Sequence, residues 1–405
     1  MPSFTEARSI ILDRVAPLGI ERVGILEAVG RILAEDLIAP WEMPLCDNSA
    51  MDGFAVRADD CGEIPASLKV TGYIPAGGRP AGPVEPGCAI RIMTGAPVPP
   101  GCDAVVPVEE TENEGGAVRI MATVARRQHI RFKGEDVATG DIVVSRGTLL
   151  QPPEISMLAS FGKALVPVFR RARVAILSTG DELAELGESP APGTIINSNA
   201  LSLAAAVRQC GAEPVIIGIA RDNRESHREK LAEGLRADAL ITSAGVSAGD
   251  RDVVRDVLAE LGAEQLFWKV DMKPGGPTAF SMHGAVPVFS LPGNPVSTMI
   301  TFEIFVRPAL LRMMGHSRVV RPFVKATLLE EARKKPGKVN FLRVRATERD
   351  GRLVASTAGE QHTGILRTMV NANALVLLPR EASFVPAGSE VEMMILRDDV
   401  TMLER

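Results

Sequence analysis

The sequence predicts a multidomain α/β protein. It comprises a central parallel-sheet α/β domain, an inserted small β domain, an N-terminal helical or extended segment and a C-terminal β-barrel. One reason is length, because 405 residues exceed what a single hydrophobic core usually organises. The second is that the spacing of apolar residues changes repeatedly along the chain. A hydrophobic content of 46% with only 4% aromatic residues indicates globular cores packed by aliphatic side chains.

The first segment begins with a helix signal. Ser3 and Glu6 have the spacing of a capping box, which predicts an amphipathic helix at the N-terminus. We expect a connector and a second helix to follow, ending at Pro40. Another helix with proline at its start is expected from Pro152. We assign both parts to one N-terminal domain, residues 1–45 and 147–172.

Residues 46–146 have a different composition, with frequent glycine and proline between short strand-like runs. The runs at residues 89–93 and 104–108 are rich in valine, isoleucine and alanine. Short strands separated by turn residues predict a small β-rich domain inserted into the N-terminal one.

Residues 173–318 alternate continuous apolar strands with amphipathic helices. Runs such as 174–177, 215–219 and 239–242 are apolar throughout, and a helical segment follows each. This alternation predicts a parallel sheet covered on both faces. In such sheets the ligand lies at the carboxyl ends of the strands. We therefore expect the loops after the strands to carry the site.

Residues 319–405 return to alternating strands, which predicts a β-barrel or a sandwich of normal domain size. We assign this segment to the C-terminal β-barrel domain.

Composition argues against several classes of function. The net charge of -5, without a long basic run, argues against nucleic acid as a partner. No apolar run approaches the roughly 18 residues of a membrane span, and we find no signal peptide. Five cysteines without a CxxC pair fit a reducing cytoplasm. The histidines are scattered, so we expect no histidine-based metal site.

Short polar loops are the most informative feature of the chain. Each combines glycine with hydroxyl, amide or carboxylate side chains, and alone each could be an ordinary turn. Their number favours ligand binding. The main loops are residues 47–53, 178–182, 243–252, 272–277 and 291–297.

The loop at residues 243–249 is suited to an anion. Gly245 and two hydroxyl residues, Ser243 and Ser247, follow a predicted strand, where backbone N–H groups and a helix dipole attract phosphate. It matches neither the Walker loop nor GxGxxG, so we interpret it as a phosphate or pyrophosphate site of another lineage. A tight packing turn is the alternative.

Three carboxylates, Glu182, Asp222 and Asp252, fall on the same predicted edge. Beside a phosphate they require a hard cation, and Mg²⁺ takes oxygen ligands of this kind. Asp222 also suits a helix N-cap. Lys269 and Lys273 are either solvated surface lysines or anion contacts.

Together these motifs resemble the molybdopterin molybdenumtransferase family, of the MoeA type, which is related to the E domain of gephyrin. The resemblance covers essentially the whole chain. It rests on the motifs at residues 47–53, 92–96, 134–136, 178–183 and 291–297, together with the Ser243 and Lys273 loops.

The resemblance implies conversion of adenylated molybdopterin and molybdate, with Mg²⁺, into molybdenum cofactor and AMP. It also implies an elongated homodimer. The active site would lie between the α/β domain of one subunit and the inserted β domain of the other. The product would pass to molybdoenzymes.

The resemblance also assigns roles to residues. Asp52, Asp136 and Glu182 match catalytic positions, and Asp222 and Asp252 are the expected Mg²⁺ ligands. The expected substrate contacts are Thr94, Arg131, Thr179, Gly180, Ser243, Gly245, Ser247, Lys269, Lys273, Gly293, Asn294, Ser297, Arg343 and Thr363.

Some positions depart from the family pattern. Gly276 replaces the second lysine of Lys-Pro-Gly-Lys-Pro, and Ala244 replaces a glycine that often precedes Gly245. The residues 362–364 stand where Gly-Ser-His is common, and residues 367–368 replace a serine pair. These departures fall on the molybdate and pterin side of the expected site.

Two other functions fit parts of the pattern. An adenylyltransferase that makes the adenylated pterin would need only a domain like residues 173–318. A non-catalytic dimeric scaffold of the same fold would not need converging carboxylates. The inserted domain with Asp52 and the C-terminal barrel argue against the first. The carboxylates Asp52, Glu182, Asp222 and Asp252 argue against the second.

Overall fold

A computed structural model describes residues 1–189, 191–245 and 253–397. The chain forms two compact units. The main unit contains residues 1–34 and 166–405, and the inserted unit contains residues 35–165. Among the described residues, no helix combines the length and the hydrophobicity that crossing a membrane requires.

A six-stranded sheet forms the centre of the main unit. Across the sheet, its strands are Glu213–Ala220, Arg173–Thr179, Ala239–Ser243, Val286–Leu291, Ala279–His283 and Glu264–Phe267. The first four are parallel, which confirms the predicted parallel sheet. Ala279–His283 is antiparallel to both of its neighbours, Val286–Leu291 and Glu264–Phe267. Only two residues separate His283 from Val286, and a hairpin that short can join only antiparallel strands.

Helices cover both faces of this sheet. They are Ser198–Gln209, Arg224–Gly234, Val253–Glu260, Pro295–Thr301 and Arg307–Met313, the last two joined by a π-helical turn, Phe302–Val306. Side chains of a strand alternate between faces. Val174 and Ile176 accordingly join the core that contains Leu203, whereas Ala175 and Leu177 join the core around Leu231, Val257 and Val288.

The N-terminal helix, Phe4–Arg14, has the predicted capping box. The Ser3 N–H donates to Glu6 Oε2 at 2.8 Å, and the Glu6 N–H donates to Ser3 Oγ at 3.2 Å. Phe4 and Ile11 are buried in the core of the central sheet. The Phe4 ring packs edge-on against Phe341, with 5.3 Å between ring centroids.

The second predicted N-terminal helix is wrong. Residues 20–24 form a strand, Ile20–Gly24, and a single 3₁₀ turn, Ile25–Ala28, follows it. The strand pairs with Leu165–Phe169, which is more than a hundred residues away in the sequence. Hydrogen bonds to that distant partner override the weak local preference for helix.

The C-terminal strands close into a five-stranded barrel, which excludes the sandwich alternative. Its strands are Phe323–Leu328, Val339–Arg349, Arg352–Thr357, Ala374–Leu378 and Glu390–Ile395. Closure occurs because Val339–Arg349 pairs on one side with Arg352–Thr357 and on the other with Ala374–Leu378. A short strand of the central domain, Met272–Lys273, joins the edge of Val339–Arg349 in parallel. The helix Arg367–Asn371 lies between two of the barrel strands in the sequence.

The inserted unit also contains a six-stranded sheet. Across the sheet, its strands are Ala104–Pro107, Gly53–Val56, Cys88–Ile92, Ala66–Ile74, Ala117–Ile120 and Thr111–Asn113. Phe54 and Val56 join one core and Ala55 joins another, so both faces of the sheet are covered. The unit also contains the helix Pro152–Ser160. Two two-stranded pairs also belong to the inserted unit, Leu37–Ile38 with Ile142–Val144 and Asn48–Ser49 with Ile130–Arg131.

Substitution of Gly53 would test how tightly the strands of this sheet pack. A Cβ at Gly53 would overlap the backbone carbonyl of Val106 on the neighbouring strand. We expect Gly53→Ala to reduce the free energy of unfolding in urea by about 3 kcal/mol, because the strands must separate. Gly72→Ala on the same sheet is the matched control, because a Cβ there meets nothing within 4 Å. A change of more than about 1 kcal/mol in the control, or none at Gly53, would contradict this.

Candidate functional site

A cavity of about 720 Å³ lies at the carboxyl ends of the parallel strands in the main unit. Its volume is within the usual range for small-molecule sites. Residues from three segments at the ends of parallel strands line it: 178–180 with 182–183, 243–245 and 292–295. The structure therefore brings together Thr179, Gly180, Glu182, Asp222, Ser243, Gly245, Gly293 and Asn294.

Gly180 fixes the conformation of the first loop. It has φ +136°, and its N–H donates to the Ala220 carbonyl at 3.1 Å. A Cβ at this position would overlap the carboxylate of Glu182. The glycine thus allows the Glu182 side chain to fold over the backbone at the edge of the cavity.

Ala244 is strained in the second loop. It has φ +74°, a left-handed conformation that costs a non-glycine residue about 1 kcal/mol or more. Its N–H donates to the Leu291 carbonyl at 3.1 Å, which ties it to the end of the adjacent strand. Ala244 therefore departs from the family pattern in its side chain and keeps the backbone conformation that glycine would adopt.

Two asparagines in the cavity lining were missed by the sequence analysis. Asn199 Nδ2 donates to Ser243 Oγ at 2.8 Å and to the Gly293 carbonyl at 2.7 Å, so it joins two of the loops. Asn197 Oδ1 accepts from Ser178 Oγ at 2.8 Å and caps the following helix. The sequence signal that could have identified them is the run Asn-Ser-Asn directly after the apolar pair at residues 195–196.

Each asparagine keeps a buried polar atom without a partner. Among the described residues, Asn199 Oδ1 and Asn197 Nδ2 make no hydrogen bond. Such atoms cost free energy unless a ligand or water satisfies them. Both asparagines of the cavity lining therefore retain unsatisfied hydrogen-bonding capacity.

Asp222 is not the helix N-cap that we considered. Asn223 holds that position, and its side chain accepts from the Ser226 N–H at 2.9 Å. Asp222 is exposed. Its N–H donates to Asp181 Oδ1 at 3.1 Å, and the Asp181 N–H donates to Asp222 Oδ2 at 3.4 Å. The Asp222 carboxylate remains at the cavity lining.

The second expected metal ligand, Asp252, and the expected substrate contact Ser247 lie outside the described residues. Within the described ranges, no group of three or more histidine, cysteine, aspartate or glutamate side chains is arranged to hold a metal ion.

A second, smaller cavity of about 240 Å³ lies beside the C-terminal barrel. Three expected contacts line it: Lys273, Arg343 and Thr363. Further basic side chains in its lining are Arg333, Lys334 and Lys335. The only acidic residue in this lining is Glu331, which already pairs with Arg333 at 2.9 Å.

Arg343 is the central feature of the smaller cavity, and it is only 1% exposed. Its Nε donates to Thr368 Oγ1 at 2.7 Å, and its Nη2 donates to the carbonyls of Glu360 and His362 at 3.3 and 3.2 Å. Burial lowers the pKa of the guanidinium, which remains charged in proteins. Its described partners are all neutral, and a buried cation of this kind favours an anion beside it.

Thr368 belongs to the pair that departs from the family pattern. Its hydroxyl accepts the bond from Arg343 Nε, so the change of residue type keeps the oxygen that orients the guanidinium. Asn340 Oδ1, in the same cavity lining, is buried without a partner among the described residues.

Among the described residues of the main unit, two expected contacts line neither cavity. Lys269 is exposed. Ser297 is buried in the helix Pro295–Thr301, where its carbonyl accepts from Thr301 Oγ1 at 2.8 Å. Asn294 precedes this helix but makes no side-chain capping bond, and it lines the larger cavity.

In the inserted unit, Asp52 and Thr94 are in contact. Asp52 Oδ1 accepts from Thr94 Oγ1 and from the Thr94 N–H, each at 2.7 Å. The Thr94 hydroxyl and then its N–H lower the pKa of Asp52 below its usual range. A carboxylate with a lowered pKa is ionised at neutral pH and is suited to orienting water or a cation.

Arg131 is brought to the same loops by a short strand pair. It lies opposite Asn48 in the pairing of Ile130–Arg131 with Asn48–Ser49, and Ser49 exchanges backbone hydrogen bonds with residues 95 and 96. Asp136 lies beyond the following turn and is exposed, and its N–H donates to the Met43 carbonyl at 3.1 Å. Glu135 closes that turn by accepting from the Phe132 N–H at 2.7 Å.

Comparison with known proteins gives consistent matches along the chain. Residues 2–162 match the model of the MoeA N-terminal region (domain I and II). Residues 175–312 match a probable molybdopterin binding domain, and residues 325–396 match the MoeA C-terminal region (domain IV).

Full-length relatives carry the same description. Molybdopterin molybdenumtransferase 2 of Mycobacterium tuberculosis is 37% identical, over 97% of this chain and 99% of its own length. Molybdopterin molybdenumtransferase of Nostoc sp. is also 37% identical, over 98% of this chain and 94% of its own. The crystal structure of the molybdopterin biosynthesis MoeA protein from Pyrococcus horikoshii OT3 superposes with a TM-score of 0.83, at 30% identity, covering 98% of this chain and 100% of that one.

The lowered pKa of Asp52 can be measured directly. We expect NMR titration to find it below the usual aspartate range and Thr94→Val to raise it, because the variant loses the hydroxyl donor and keeps the N–H. Since the folded pKa is depressed, the stabilising effect exists above the unfolded pKa and is lost as pH falls through the folded one. Thr71→Val is the control, because Thr71 lies in strand Ala66–Ile74 of the inserted unit, and this variant should leave the pKa of Asp52 unchanged. An Asp52 pKa that Thr94→Val does not move would refute the assignment.

Gly180→Ala should displace Glu182, because the added Cβ overlaps its carboxylate. We expect a loss of enzymatic activity of about tenfold or more and a destabilisation of about 1–2 kcal/mol from the left-handed backbone. Gly187→Ala is the matched control, because Gly187 also has positive φ (+95°) but a Cβ there meets nothing within 4 Å. Equal loss of activity in the two variants would show that backbone strain, and not Glu182, is responsible.

Proposed function

This chain belongs to the MoeA family of molybdopterin molybdenumtransferases, and we propose that its larger cavity binds adenylated molybdopterin and its smaller cavity binds molybdate. It is a transferase of molybdenum cofactor biosynthesis that inserts molybdenum into molybdopterin. One observation carries the two-cavity proposal. A single loop contributes Pro277 to the larger cavity and Lys273 and Pro274 to the smaller one.

The larger cavity suits the nucleotide end of the substrate. Its lining contains loop residues 178–180, 243–245 and 292–294 at the ends of parallel strands, where this class of sheet binds ligands. The side-chain atoms Asn199 Oδ1 and Asn197 Nδ2 lack partners among the described residues, and we propose that ligand binding satisfies them. We propose Thr179, Gly180, Ser243, Gly245, Gly293 and Asn294 as its contacts.

The smaller cavity suits molybdate, a tetrahedral dianion. Arg343 presents a buried guanidinium whose described partners are all neutral, and Lys273 adds a second positive charge. Charge-assisted hydrogen bonds to an oxyanion are stronger than neutral ones. Thr363 contributes a hydroxyl to the same lining.

The residues of the larger cavity fit Mg²⁺, which takes one or two carboxylates together with phosphate oxygens. Asp222 supplies one carboxylate at the lining, and Asp181 lies beside it. We propose Asp222 and Asp252 as the protein ligands. When bound, the cation would neutralise negative charge on the anhydride of the substrate.

We propose that AMP release accompanies molybdenum insertion. A water molecule adds its oxygen to one phosphorus of the anhydride, and the bridging oxygen leaves with the other phosphoryl group. Glu182, at the edge of the larger cavity, would orient that water. Asp52 and Asp136 are the other proposed catalytic carboxylates. The lowered pKa of Asp52 suits it for orientation and not for taking up a proton at neutral pH.

The two alternative functions receive less support. The relatives that are named molybdenumtransferases match nearly the full length of the chain, whereas an adenylyltransferase would need only the central domain. A scaffold would not require a buried arginine beside an open basic cavity.

Assembly and location are also part of the proposal. From the family resemblance we propose a homodimer that hands the cofactor to molybdoenzymes. The described cysteines are all free thiols, including exposed Cys46, which suits the reducing cytoplasm.

Arg343 gives the decisive test. With adenylated molybdopterin and Mg²⁺, purified protein should release AMP in a molybdate-dependent manner. We expect Arg343→Gln to reduce that release roughly 10- to 100-fold, with adenylated molybdopterin still bound. Arg345→Gln, an exposed arginine on the same strand, is the control and should remain active.

Arg343→Lys keeps a positive charge and separates lost charge from misfolding, which thermal unfolding also monitors. Full activity of Arg343→Gln would overturn the molybdate assignment. Tight binding without AMP release by the wild type, with molybdate or tungstate, would favour the scaffold.

A further inference from the structure

We infer that Gln361 is a positioning residue of the smaller cavity, because it holds Arg343 in the orientation that leaves one guanidinium nitrogen, Nη1, for an anion. Both residues line this cavity. The inference rests on the proposed function, in which the smaller cavity binds a tetrahedral oxyanion. It adds the residue that sets the geometry of the arginine.

The Arg343 guanidinium keeps free donors on one nitrogen. Arginine carries one N–H on Nε and two on each Nη. Nε bonds to Thr368, and Nη2 bonds to the carbonyls of Glu360 and His362. Nη1 makes no hydrogen bond to a described residue, yet it is not fully enclosed. The small part of Arg343 that stays exposed therefore includes Nη1.

Gln361 holds the backbone of Arg343 by two hydrogen bonds. Its Oε1 accepts from the Arg343 N–H at 2.9 Å, and its Nε2 donates to the Arg343 carbonyl at 3.1 Å. Regular pairing of the two barrel strands ends with Val344 opposite Thr357, one residue short of Arg343. An amide side chain offers the same acceptor and donor as a peptide group. Gln361 therefore continues the strand pairing as far as Arg343.

Arg343 and the loop that contains Gln361 bind each other reciprocally. Gln361 bonds to the backbone of Arg343, whereas the Arg343 side chain bonds to the carbonyls on either side of Gln361. Gln361 Nε2 also donates to the Gly359 carbonyl at 2.8 Å. One side chain thus anchors both the arginine backbone and the loop that accepts from Nη2.

Thr368 fixes the remaining side of the guanidinium. Its hydroxyl donates to the Ile365 carbonyl at 2.7 Å, so the lone pairs of Oγ1 are left to accept from Arg343 Nε. Contacts at Nε and Nη2 together set the plane of the guanidinium and the direction of Nη1.

An arginine that is already oriented binds an anion more tightly, because less side-chain freedom is lost on binding. Gln361 provides this orientation with a neutral amide. A carboxylate in the same place would pair with the guanidinium and compete with the anion. Gln361 therefore contributes to oxyanion affinity as well as to the stability of the barrel.

Asn373 provides a matched control on the same strand. Its Oδ1 accepts from the Ala346 N–H at 2.7 Å, and its Nδ2 donates to the Ala346 carbonyl at 3.0 Å. These are the same two bonds that Gln361 makes to Arg343. Asn373 is buried and does not line the smaller cavity, so its loss affects the barrel and not the proposed anion site.

Equilibrium dialysis of radiolabelled molybdate tests the inference. Gln361→Met keeps the length of the side chain and removes both amide functions, and we expect the Kd for molybdate to rise about tenfold. Asn373→Leu loses the equivalent bonds and should bind within about twofold of wild type. Both variants should lower the midpoint of thermal unfolding. Gln361→Glu is a second variant, which keeps the acceptor for the Arg343 N–H and should also weaken binding.

A double variant tests whether Gln361 acts through the arginine. Measured at raised molybdate concentration, Gln361→Met should change the affinity of Arg343→Gln by no more than about twofold. In the AMP-release assay, Gln361→Met should raise the KM for molybdate about tenfold and leave the KM for adenylated molybdopterin within about twofold.

The outcomes separate this inference from the proposed function. If Arg343→Gln weakens molybdate binding and folded Gln361→Met and Gln361→Glu bind like wild type, the inference alone fails. It also fails if Asn373→Leu weakens binding equally, or if the effects of Gln361→Met and Arg343→Gln add in full. If wild type binds no molybdate, or Arg343→Gln binds it like wild type, the proposed oxyanion site itself is wrong.

Discussion

The parallel register of the central sheet is the constraint on which the rest of the structure depends. Strand Arg173–Thr179 pairs in parallel with both of its neighbours. Ser178 is therefore aligned with Ser243, and Thr179 with Ala220. Since the strand is buried on both faces, a one-residue shift in register would move each apolar side chain into the opposite core, where it would no longer fit its neighbours. The same packing that stabilises the sheet thus holds the loops of the larger cavity together.

The second organising feature is the attachment of the barrel to the central domain. Through the pairing of Met272–Lys273 with the start of Val339–Arg349, one loop becomes part of both cavities. Barrel closure fixes that strand from both sides. The proposed substrate, with a nucleotide at one end and a pterin at the other, would require this kind of continuous lining.

The two cavities differ in charge for a physical reason. The larger one has carboxylates at its edge, including Glu182 and Asp222, which suit a cation between protein and phosphate. The smaller one has a buried arginine, Arg343, whose described partners are neutral. These hydrogen bonds offset part of the free energy cost of burying that charge, and an anion beside it would offset more. Each cavity therefore selects its ligand by charge as well as by shape.

Local signals in the chain were enough to predict the Ser3 capping box, the alternation of apolar strands with helices, and the polar loops that follow strands. Strand Ile20–Gly24 in place of a helix and the bonds of Asn199 to two loops became evident from the folded structure. Each of these depends on a partner distant in the sequence. Local propensity acts over a few residues, whereas hydrogen bonding and packing between strands act across the whole chain, so one sequence pattern cannot specify them.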